Sequence, residues 1–277
     1  MKRKKTKALG QHFLKNPRLL AKIVQCIAPE KDDLIIEIGA GKGALTFPLA
    51  EKAGRVIAVE RDSTLIHFLR ERQFQNLEIL EDDILKVRFK ELVQKEKYSF
   101  DKVKVVGNLP YSISSPLLFK ILEEKETIGR CVFLLQREVV ERICGQPGTK
   151  KYAPLSIIFQ IYFETHLHFI VSPKSFTPPP KVESALLSLE KRVKPLFHIE
   201  KEEAFLRFLR GVFRHRRKTL FNNLLSLGYE RILVGEAFKE YALEKSIRPE
   251  QLSPAQFFSL YTFFFKKPLP GSIPKAF

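Results

Sequence analysis

A four-residue segment, Asn108-Leu109-Pro110-Tyr111, combines a side-chain amide, a rigid turn and an aromatic ring. This combination suits the exocyclic amine of adenine, which is a poor nucleophile because its lone pair is delocalised into the ring. Two acceptors aimed at its two protons draw the nitrogen toward tetrahedral geometry: the Asn108 side-chain carbonyl and the main-chain carbonyl of Leu109 or Pro110. Tyr111 offers a face on which a base that has left its own stack can rest, contributing ~1–3 kcal/mol. An ordinary turn of these four residue types is the alternative; at the end of a strand in a sheet that also carries a cofactor loop, the segment predicts methyl transfer to an adenine amine.

A glycine-rich loop, Gly39-Ala40-Gly41-Lys42-Gly43, follows a predicted strand and opens a predicted helix. Such loops bind nucleotide-like ligands at the carboxyl ends of parallel strands, because glycine lets the backbone approach the ligand closely. The pattern fits a dinucleotide when it is read as G-x-G-x-x-A and S-adenosylmethionine when it is read as G-x-G-x-G. Glu60 fits both ligands, since each offers a ribose diol to a carboxylate. Asp82 and Asp83 end the third predicted strand, where one carboxylate can accept a hydrogen bond from an adenine amine.

The elements that position these residues alternate along the first half of the chain. Apolar, β-branched runs predict strands at residues 34–38, 56–60, 77–80, 103–106 and 132–135, and helical spacing predicts helices at residues 17–28, 44–52, 63–72, 116–124 and 137–143. Nearly all-apolar strands that alternate with helices indicate a parallel sheet covered on both faces. We therefore expect a doubly wound α/β domain.

The second half changes character. Residues 157–171 and 185–190 are expected to be extended and to finish the sheet as an antiparallel pair around the proline-rich residues 172–181. Helical patterns then occupy residues 202–227, 229–241 and 254–265, with breaks at Gly228 and Pro249. We expect one domain at residues 1–191, with a basic, ligand-contacting leader at residues 1–16, and a helical domain at residues 192–277.

The formal net charge of +17 is distributed unevenly. Residues 1–29 carry 8 basic and no acidic side chains, residues 30–190 carry 23 of each, and residues 191–277 carry 17 basic and 8 acidic. A neutral body with two basic ends indicates a catalytic or ligand-binding unit that meets a polyanion, although a merely soluble basic protein is an alternative.

A basic stripe is predicted in the second domain, where no Asp or Glu lies between residues 204 and 229. Its members recur at three- and four-residue steps, so we expect them on one face of a single helix, where they suit a phosphate backbone; an ordinary solvated face is the alternative. The residues of the stripe are Arg207, Arg210, Arg214, Arg217 and Lys218.

Other classes are disfavoured. No stretch approaches ~18 consecutive apolar residues, so we expect no membrane span, and residues 1–7 lack the apolar core of a secretory signal. Cys26, Cys131 and Cys144 form no CxxC pair and indicate neither a disulfide framework nor a metal site. We expect a cytoplasmic monomer with no metal ion and no membrane partner.

Together these motifs resemble those of the ribosomal RNA adenine dimethyltransferases. The resemblance spans nearly the whole chain, from GQHFL at residues 10–14 through the glycine loop and NLPY to FTPPPKVESA at residues 176–185 and RHRRKTL at residues 214–220. It implies a Rossmann-like class I methyltransferase sheet with a small helical, RNA-binding C-terminal domain and S-adenosylmethionine as cofactor. It also implies dimethylation of two adjacent adenosines near the 3′ end of 16S rRNA in the small ribosomal subunit.

The resemblance also assigns site residues. It implies a main-chain cofactor contact at His12, where many relatives carry Asn, ribose binding by Glu60 and adenine binding by Asp83. Phe176 is implied as the ring opposite Tyr111, with a hydrophobic plug under the loop as the alternative. The full cofactor set is His12, Leu14, Gly39, Gly41, Glu60, Asp83 and Asn108, and the catalytic set is Asn108, Leu109, Pro110, Tyr111 and Phe176.

Three rival functions remain. The nearest is a large-subunit rRNA adenine methyltransferase of the macrolide-resistance type. A non-catalytic ribosome assembly or transcription factor with a relic cofactor site comes from a different class, and the intact set of catalytic positions argues against it. A dinucleotide oxidoreductase is the weakest, because it has no use for the Asn-Leu-Pro-Tyr turn.

Overall fold

The computed structural model describes residues 12–96 and 102–266. The basic leader and the first two residues of the GQHFL motif lie outside the described residues. The strands are β1 (Phe13–Leu14), β2 (Asp33–Ile38), β3 (Arg55–Glu60), β4 (Leu77–Glu81), β5 (Lys102–Asn108), β6 (Arg130–Gln136), β7 (Phe163–Val171), β8 (Phe176–Thr177) and β9 (Ser184–Lys191). The α-helices are α1 (Pro17–Ile27), α2 (Thr46–Lys52), α3 (Ser63–Arg70), α4 (Phe89–Lys95), α5 (Ser114–Glu123), α6 (Arg137–Ile143), α7 (Pro154–Tyr162), α8 (Glu202–Val212), α9 (Leu220–Ser226), α10 (Arg231–Glu240) and α11 (Pro254–Lys266).

Seven strands form one sheet in the order β4-β3-β2-β5-β6-β9-β7. The five strands from β4 to β6 pair in parallel, and β9 pairs antiparallel to β6. Every residue of the central strand β2 is buried, as expected for a strand with neighbours on both sides and covered faces. The predicted α/β fold is confirmed. Because parallel strands end at the same edge of a sheet, the glycine loop, Glu60, Asp83 and Asn108 are brought to one side.

The first helix begins as its sequence predicts. Asn16 caps α1, its side-chain oxygen accepting from the backbone N–H groups of Arg18 and Leu19 at 3.0 and 3.3 Å, and Pro17 occupies the first helical position. The helix buries Ile23 and Ile27, which holds the segment preceding α1 close to the core.

The expectation of extended structure throughout residues 157–171 is wrong in its first part. Helix α7 occupies Pro154–Tyr162, and strand β7 begins only at Phe163. Most residues of this helix are buried, and the helix is accordingly apolar on nearly all sides. Periodicity alone cannot separate such a helix from a buried strand. Helix α4 (Phe89–Lys95) was not predicted.

The single helix expected at residues 202–227 is also wrong, because two helices, α8 and α9, are separated by residues 213–219. The buried side chain of Asn223 explains the break. Its Nδ2 donates to the main-chain carbonyls of His215, Lys218 and Thr219 at 3.1–3.3 Å, and its Oδ1 accepts from the His215 N–H. These bonds satisfy backbone groups that a continuous helix would have paired internally.

The break also divides the predicted basic stripe. Arg207 and Arg210 are exposed on α8, whereas Arg214, Arg217 and Lys218 are exposed on the segment between α8 and α9. The predicted stripe therefore consists of two arginines on α8 and three basic residues on the irregular segment that follows. Its members do not share one helix face.

The chain divides into two compact units, Met1–Val140 with Glu164–Lys191, and Glu141–Phe163 with Arg192–Phe277. This division differs from the single boundary expected near residue 192, because Glu141–Phe163 joins the second unit. Helix α7 packs against α8 and α11 there, and the Tyr162 hydroxyl donates to Glu202 Oε1 at 2.8 Å. Among the helices of the described residues, none is long and apolar enough to span a membrane.

Candidate active site

A cavity of about 290 Å³ lies in the first unit at the carboxyl ends of β2 to β5. Residues from well-separated parts of the sequence line it, among them the glycine loop, the ends of β3 and β4, and the NLPY segment. Each cofactor and catalytic residue predicted from the sequence contributes to its lining. These residues are His12, Leu14, Gly39, Gly41, Glu60, Asp83, Asn108, Leu109, Pro110, Tyr111 and Phe176.

The glycine loop has a backbone conformation that residues other than glycine rarely adopt. Gly39 and Gly41 have φ angles of +71° and +59°, in the left-handed region that favours glycine. A Cβ on Gly39 would meet nothing within 4 Å, whereas a Cβ on Gly41 would lie 3.3 Å from the Phe13 ring. The loop is therefore open at Gly39 and closely covered by the N-terminal segment at Gly41.

Glu60 holds this loop in place from the end of β3. Its side chain is buried, with Oε2 accepting from the Gly41 N–H at 2.8 Å and Oε1 accepting from the N–H groups of Arg61 and Asp62 at 2.9 and 2.8 Å. Three backbone donors fix the position of this carboxylate. Glu60 thus links the glycine loop to the end of the neighbouring strand.

The two acids after β4 have different surroundings. Asp82 Oδ1 accepts from the Asp83 N–H at 2.6 Å and so serves the local turn. Asp83 Oδ1 accepts from the Leu85 N–H at 3.1 Å, and its Oδ2 lies 3.3 Å from the guanidinium of the exposed Arg61. An ion pair with one exposed partner is weak, so a ligand donor can displace Arg61 at small cost. Asp83 is the better placed of the two to accept from a ligand.

Asn108 stands at the end of β5, next to the glycine loop. The preceding Gly107 permits this proximity, because a Cβ there would lie 2.5 Å from the Ile38 main-chain oxygen. Asn108 Nδ2 donates to the main-chain carbonyl of His12 at 2.7 Å. With its N–H engaged by the protein, the amide retains its carbonyl oxygen as an acceptor for a substrate.

The Tyr111 ring makes two contacts, one through its hydroxyl and one with a neighbouring ring. Its hydroxyl lies 2.8 Å from Ser184 Oγ, and burial raises the pKa of Tyr111, with the Ser184 hydrogen bond opposing the shift. The ring paired with Tyr111 is that of His12, with centroids 5.7 Å apart and planes inclined by 39°. Phe176 is only 2% exposed and packs in the core against residues such as Leu14. This core packing fits the alternative in which Phe176 is a hydrophobic plug under the proline-rich loop. The role of Phe176 in stacking on the base stays a prediction.

Sequence reasoning missed Glu37, which also lines the cavity. Its side chain is 2% exposed and its Oε2 has no hydrogen-bond partner among the described residues. Burial raises the pKa of Glu37 to about 7, with Thr46 opposing the shift and the nearby Glu60 carboxylate adding to it. The available signal was an acid inside an otherwise apolar buried strand, because such a position is costly unless the charge meets a partner.

Residues 2–266 match the protein family described as ribosomal RNA adenine dimethylase. Over 258 residues the chain is 41% identical to the ribosomal RNA small subunit methyltransferase A of Geobacter metallireducens, covering 92% of this chain and 93% of that relative.

Two solved structures share the fold. A dimethyladenosine transferase from Plasmodium falciparum is 27% identical with a TM-score of 0.79, covering 92% of this chain and 98% of that one. The 23S rRNA methyltransferase ErmE is 25% identical with a TM-score of 0.70, covering 91% of this chain and 98% of that one. Both similarities extend far beyond the glycine loop and the strands that surround it.

Proposed function

The chain belongs to the ribosomal RNA adenine dimethylase family, and on that premise we propose that it dimethylates two adjacent adenosines near the 3′ end of 16S rRNA. The methyl donor is S-adenosylmethionine and the acceptors are the exocyclic amines. One observation carries the proposal: the same cavity is lined by the glycine loop at Gly39 and by Asn108-Leu109-Pro110-Tyr111. A cofactor methyl group and an adenine amine can therefore meet in one place.

Three features of the cavity fit S-adenosylmethionine. The open space at Gly39 admits the methionine end close to the backbone. Glu60 and Asp83 offer acceptors for the ribose diol and the adenine amine. Glu37, buried and with an oxygen that lacks a partner among the described residues, suits the ammonium group of a cationic ligand. When bound, the cofactor supplies a methyl group activated by its sulfonium.

Two carbonyls hold the substrate amine. Asn108 Oδ1 accepts from one of its protons. The Pro110 carbonyl already accepts from the Ile113 N–H at 3.1 Å and the Ser114 hydroxyl at 3.4 Å, so we assign the second acceptor to the Leu109 main-chain carbonyl. Together the two acceptors localise the lone pair toward the methyl group.

The remaining catalytic contribution is alignment. Tyr111, fixed through Ser184, stacks on the extruded base and sets its plane. Holding amine, methyl and sulfur in line can supply roughly 7–11 kcal/mol of the barrier reduction. No general base is assigned, since the methylated amine is cationic and can release its proton to water after the transfer.

Cofactor affinity is predicted to depend on pH through Glu37. Its pKa is raised to about 7, and the ionised form is the one that attracts the cofactor ammonium. Affinity should therefore rise ~tenfold between about pH 6 and about pH 8, following the ionised fraction. Isothermal titration calorimetry measures this, with Glu37→Gln as the control that should bind weakly and with a flatter profile. Identical profiles of affinity against pH for the two proteins would show that Glu37 does not bind the cofactor ammonium.

The second unit provides the proposed RNA-binding surface. Arg207, Arg210, Arg214, Arg217 and Lys218 are all exposed. Arg216 donates to the main-chain carbonyl of Lys150, which places a second exposed basic loop beside residues 213–219. Basic side chains on two adjacent irregular segments suit the phosphates of a folded RNA, which is recognised largely by shape.

Charge reversal of Arg214 and Arg217 together is predicted to weaken rRNA binding and to flatten its salt dependence. Each lost phosphate contact should lower the slope of log affinity against log salt by roughly 1. Filter binding across a salt series measures the slope. The control is the double charge reversal Arg231→Glu with Lys239→Glu, at two exposed positions on α10 of the same unit, which changes the net charge equally. An equal effect of this control variant would show a general charge effect and contradict a localised surface.

The large-subunit alternative is disfavoured. The chain is 41% identical to a small-subunit methyltransferase and 25% identical to the 23S rRNA methyltransferase ErmE. Incubation with labelled S-adenosylmethionine and unmethylated small subunits, followed by nucleoside analysis, tests the proposed function directly.

A further inference from the structure

Two short strands tie the N-terminal segment to the proline-rich loop. Strand β1 pairs antiparallel with β8, with Phe13 opposite Thr177 and Leu14 opposite Phe176, and the Lys15 N–H adds a bond to the Ser175 carbonyl at 3.2 Å. A ladder of two residues per strand is weak by itself. Further contacts are therefore needed to hold β1 in register over the cavity.

His12, directly before this ladder, makes contacts in two directions. Its ring Nδ1 lies 2.7 Å from the Pro178 main-chain oxygen. Because a carbonyl only accepts, Nδ1 carries a proton and donates. The main-chain carbonyl of His12 accepts from Asn108 Nδ2 at 2.7 Å. One residue thus joins the proline-rich loop to the amide at the methyl-transfer centre.

The orientation of the Asn108 amide decides whether it can hold an amine. With Oδ1 toward the substrate it accepts a proton; rotated by a half turn, it presents Nδ2, a donor that faces another donor. The two orientations are nearly equal in shape and differ in their hydrogen bonds. The His12 carbonyl accepts only from Nδ2 and so selects the productive orientation.

We propose that His12 is a positioning residue, whose imidazole anchors β1 to the Pro178 carbonyl so that its main-chain carbonyl orients Asn108 toward the substrate amine. The inference rests on the proposed function and deepens it. His12 exchanges no proton with the substrate. Its ring also lies beside Tyr111, so the hydrogen bond and the ring contact must be separated experimentally.

Three substitutions separate them. His12→Asn keeps a donor, because asparagine Nδ2 is the same number of bonds from Cβ as histidine Nδ1, but it loses the ring. His12→Phe keeps a ring and loses the donor, and His12→Ala loses both. We expect kcat to fall ~10–100-fold in the Phe and Ala variants, since small misplacements at a reacting centre have effects of this size. His12→Asn should stay within about threefold of the unchanged protein, and KM for S-adenosylmethionine should change little in all three.

Several outcomes would overturn the inference. Full activity of His12→Phe with a defect in His12→Asn would assign the role to the ring. A rise in KM without a fall in kcat would make His12 a cofactor contact only. Equal defects in all three variants, with lowered melting temperatures, would indicate a purely structural role.

A second readout does not depend on activity. In protein labelled with ¹⁵N-asparagine, the Asn108 side-chain amide, assigned through Asn108→Asp, should give a resolved and exchange-protected signal. The signal should persist in His12→Asn and should shift and lose protection in His12→Phe and His12→Ala. Loss of protection in these variants alongside an inactive unchanged protein would refute the proposed function and support the positioning. An unresponsive signal would refute the positioning whatever the activity.

Discussion

Replacement of Asn108 by alanine is expected to lower the rate of methyl transfer by at least roughly 10²–10³-fold while leaving cofactor affinity within a few fold. Removing one preorganised hydrogen-bonding group that acts on the reacting centre costs about this much in other enzymes. Here the lost group is the Oδ1 acceptor, held in place by the 2.7 Å bond from Nδ2 to the His12 carbonyl. Single-turnover transfer and calorimetric binding of S-adenosylmethionine measure the two quantities separately.

Asn108→Gln serves as the matched comparison for this prediction. It retains an amide of the same chemistry but displaces it by one methylene, so it should be nearly as defective as Asn108→Ala if orientation is what counts. Recovery of activity in Asn108→Gln would indicate that any nearby amide suffices. Collapse of cofactor binding in Asn108→Ala would show that Asn108 acts mainly in holding the cofactor.

The second large effect concerns a buried ion pair between Lys104 and Asp33, which lies near the amino-terminal ends of the adjacent strands β5 and β2. The two side chains are 4% and 0% exposed, with Nζ 2.5 Å from Asp33 Oδ2 and 2.6 Å from the Ala28 carbonyl. Lys104→Ala leaves the Asp33 carboxylate buried without its counter-charge. Breaking one partner of such a pair costs about 3–5 kcal/mol, which urea denaturation measures as a fall in the free energy of unfolding.

Strand β5, which carries Lys104, also supplies a control for this prediction. Lys102 and Glu30 form a pair at 3.5 Å with both side chains 55% exposed, so Lys102→Ala should cost less than about 1 kcal/mol. The double variant Lys104→Met with Asp33→Asn should recover much of the lost stability, because no uncompensated charge remains. Equal losses for Lys104→Ala and Lys102→Ala would contradict the assignment of a desolvated pair.

The parallel strands were predictable because a strand covered on both faces is apolar along its whole length. Residues 34–38 and 56–60 were predicted as strands and lie within β2 and β3. Their shared direction then places the glycine loop, Glu60 and Asn108 at one edge, so the grouping of the site followed from the order of the motifs.

Other features depend on contacts between distant residues and left no local pattern. The arginine spacing indicated one helix, but the buried Asn223 side chain satisfies the backbone of residues 213–219 and ends it. Helix α7 has Ser156 and Gln160 as its polar positions among apolar residues, too few to reveal its period. The hydrogen bond from His12 to Pro178 joins residues 166 positions apart in the sequence. Neither the N-terminal segment nor the proline-rich loop has a sequence pattern that predicts this bond.

The central claim is that one cavity brings a sulfonium methyl group to the amine of an rRNA adenosine. Its most direct test is incubation of the purified protein with labelled S-adenosylmethionine and small ribosomal subunits that lack the modification, with large subunits in parallel, followed by nucleoside analysis of each rRNA. We predict N6,N6-dimethyladenosine in 16S rRNA at two adjacent positions near the 3′ end, and none in 23S rRNA. Methylation confined to 23S rRNA, or no transfer from a protein that binds the cofactor, would contradict it.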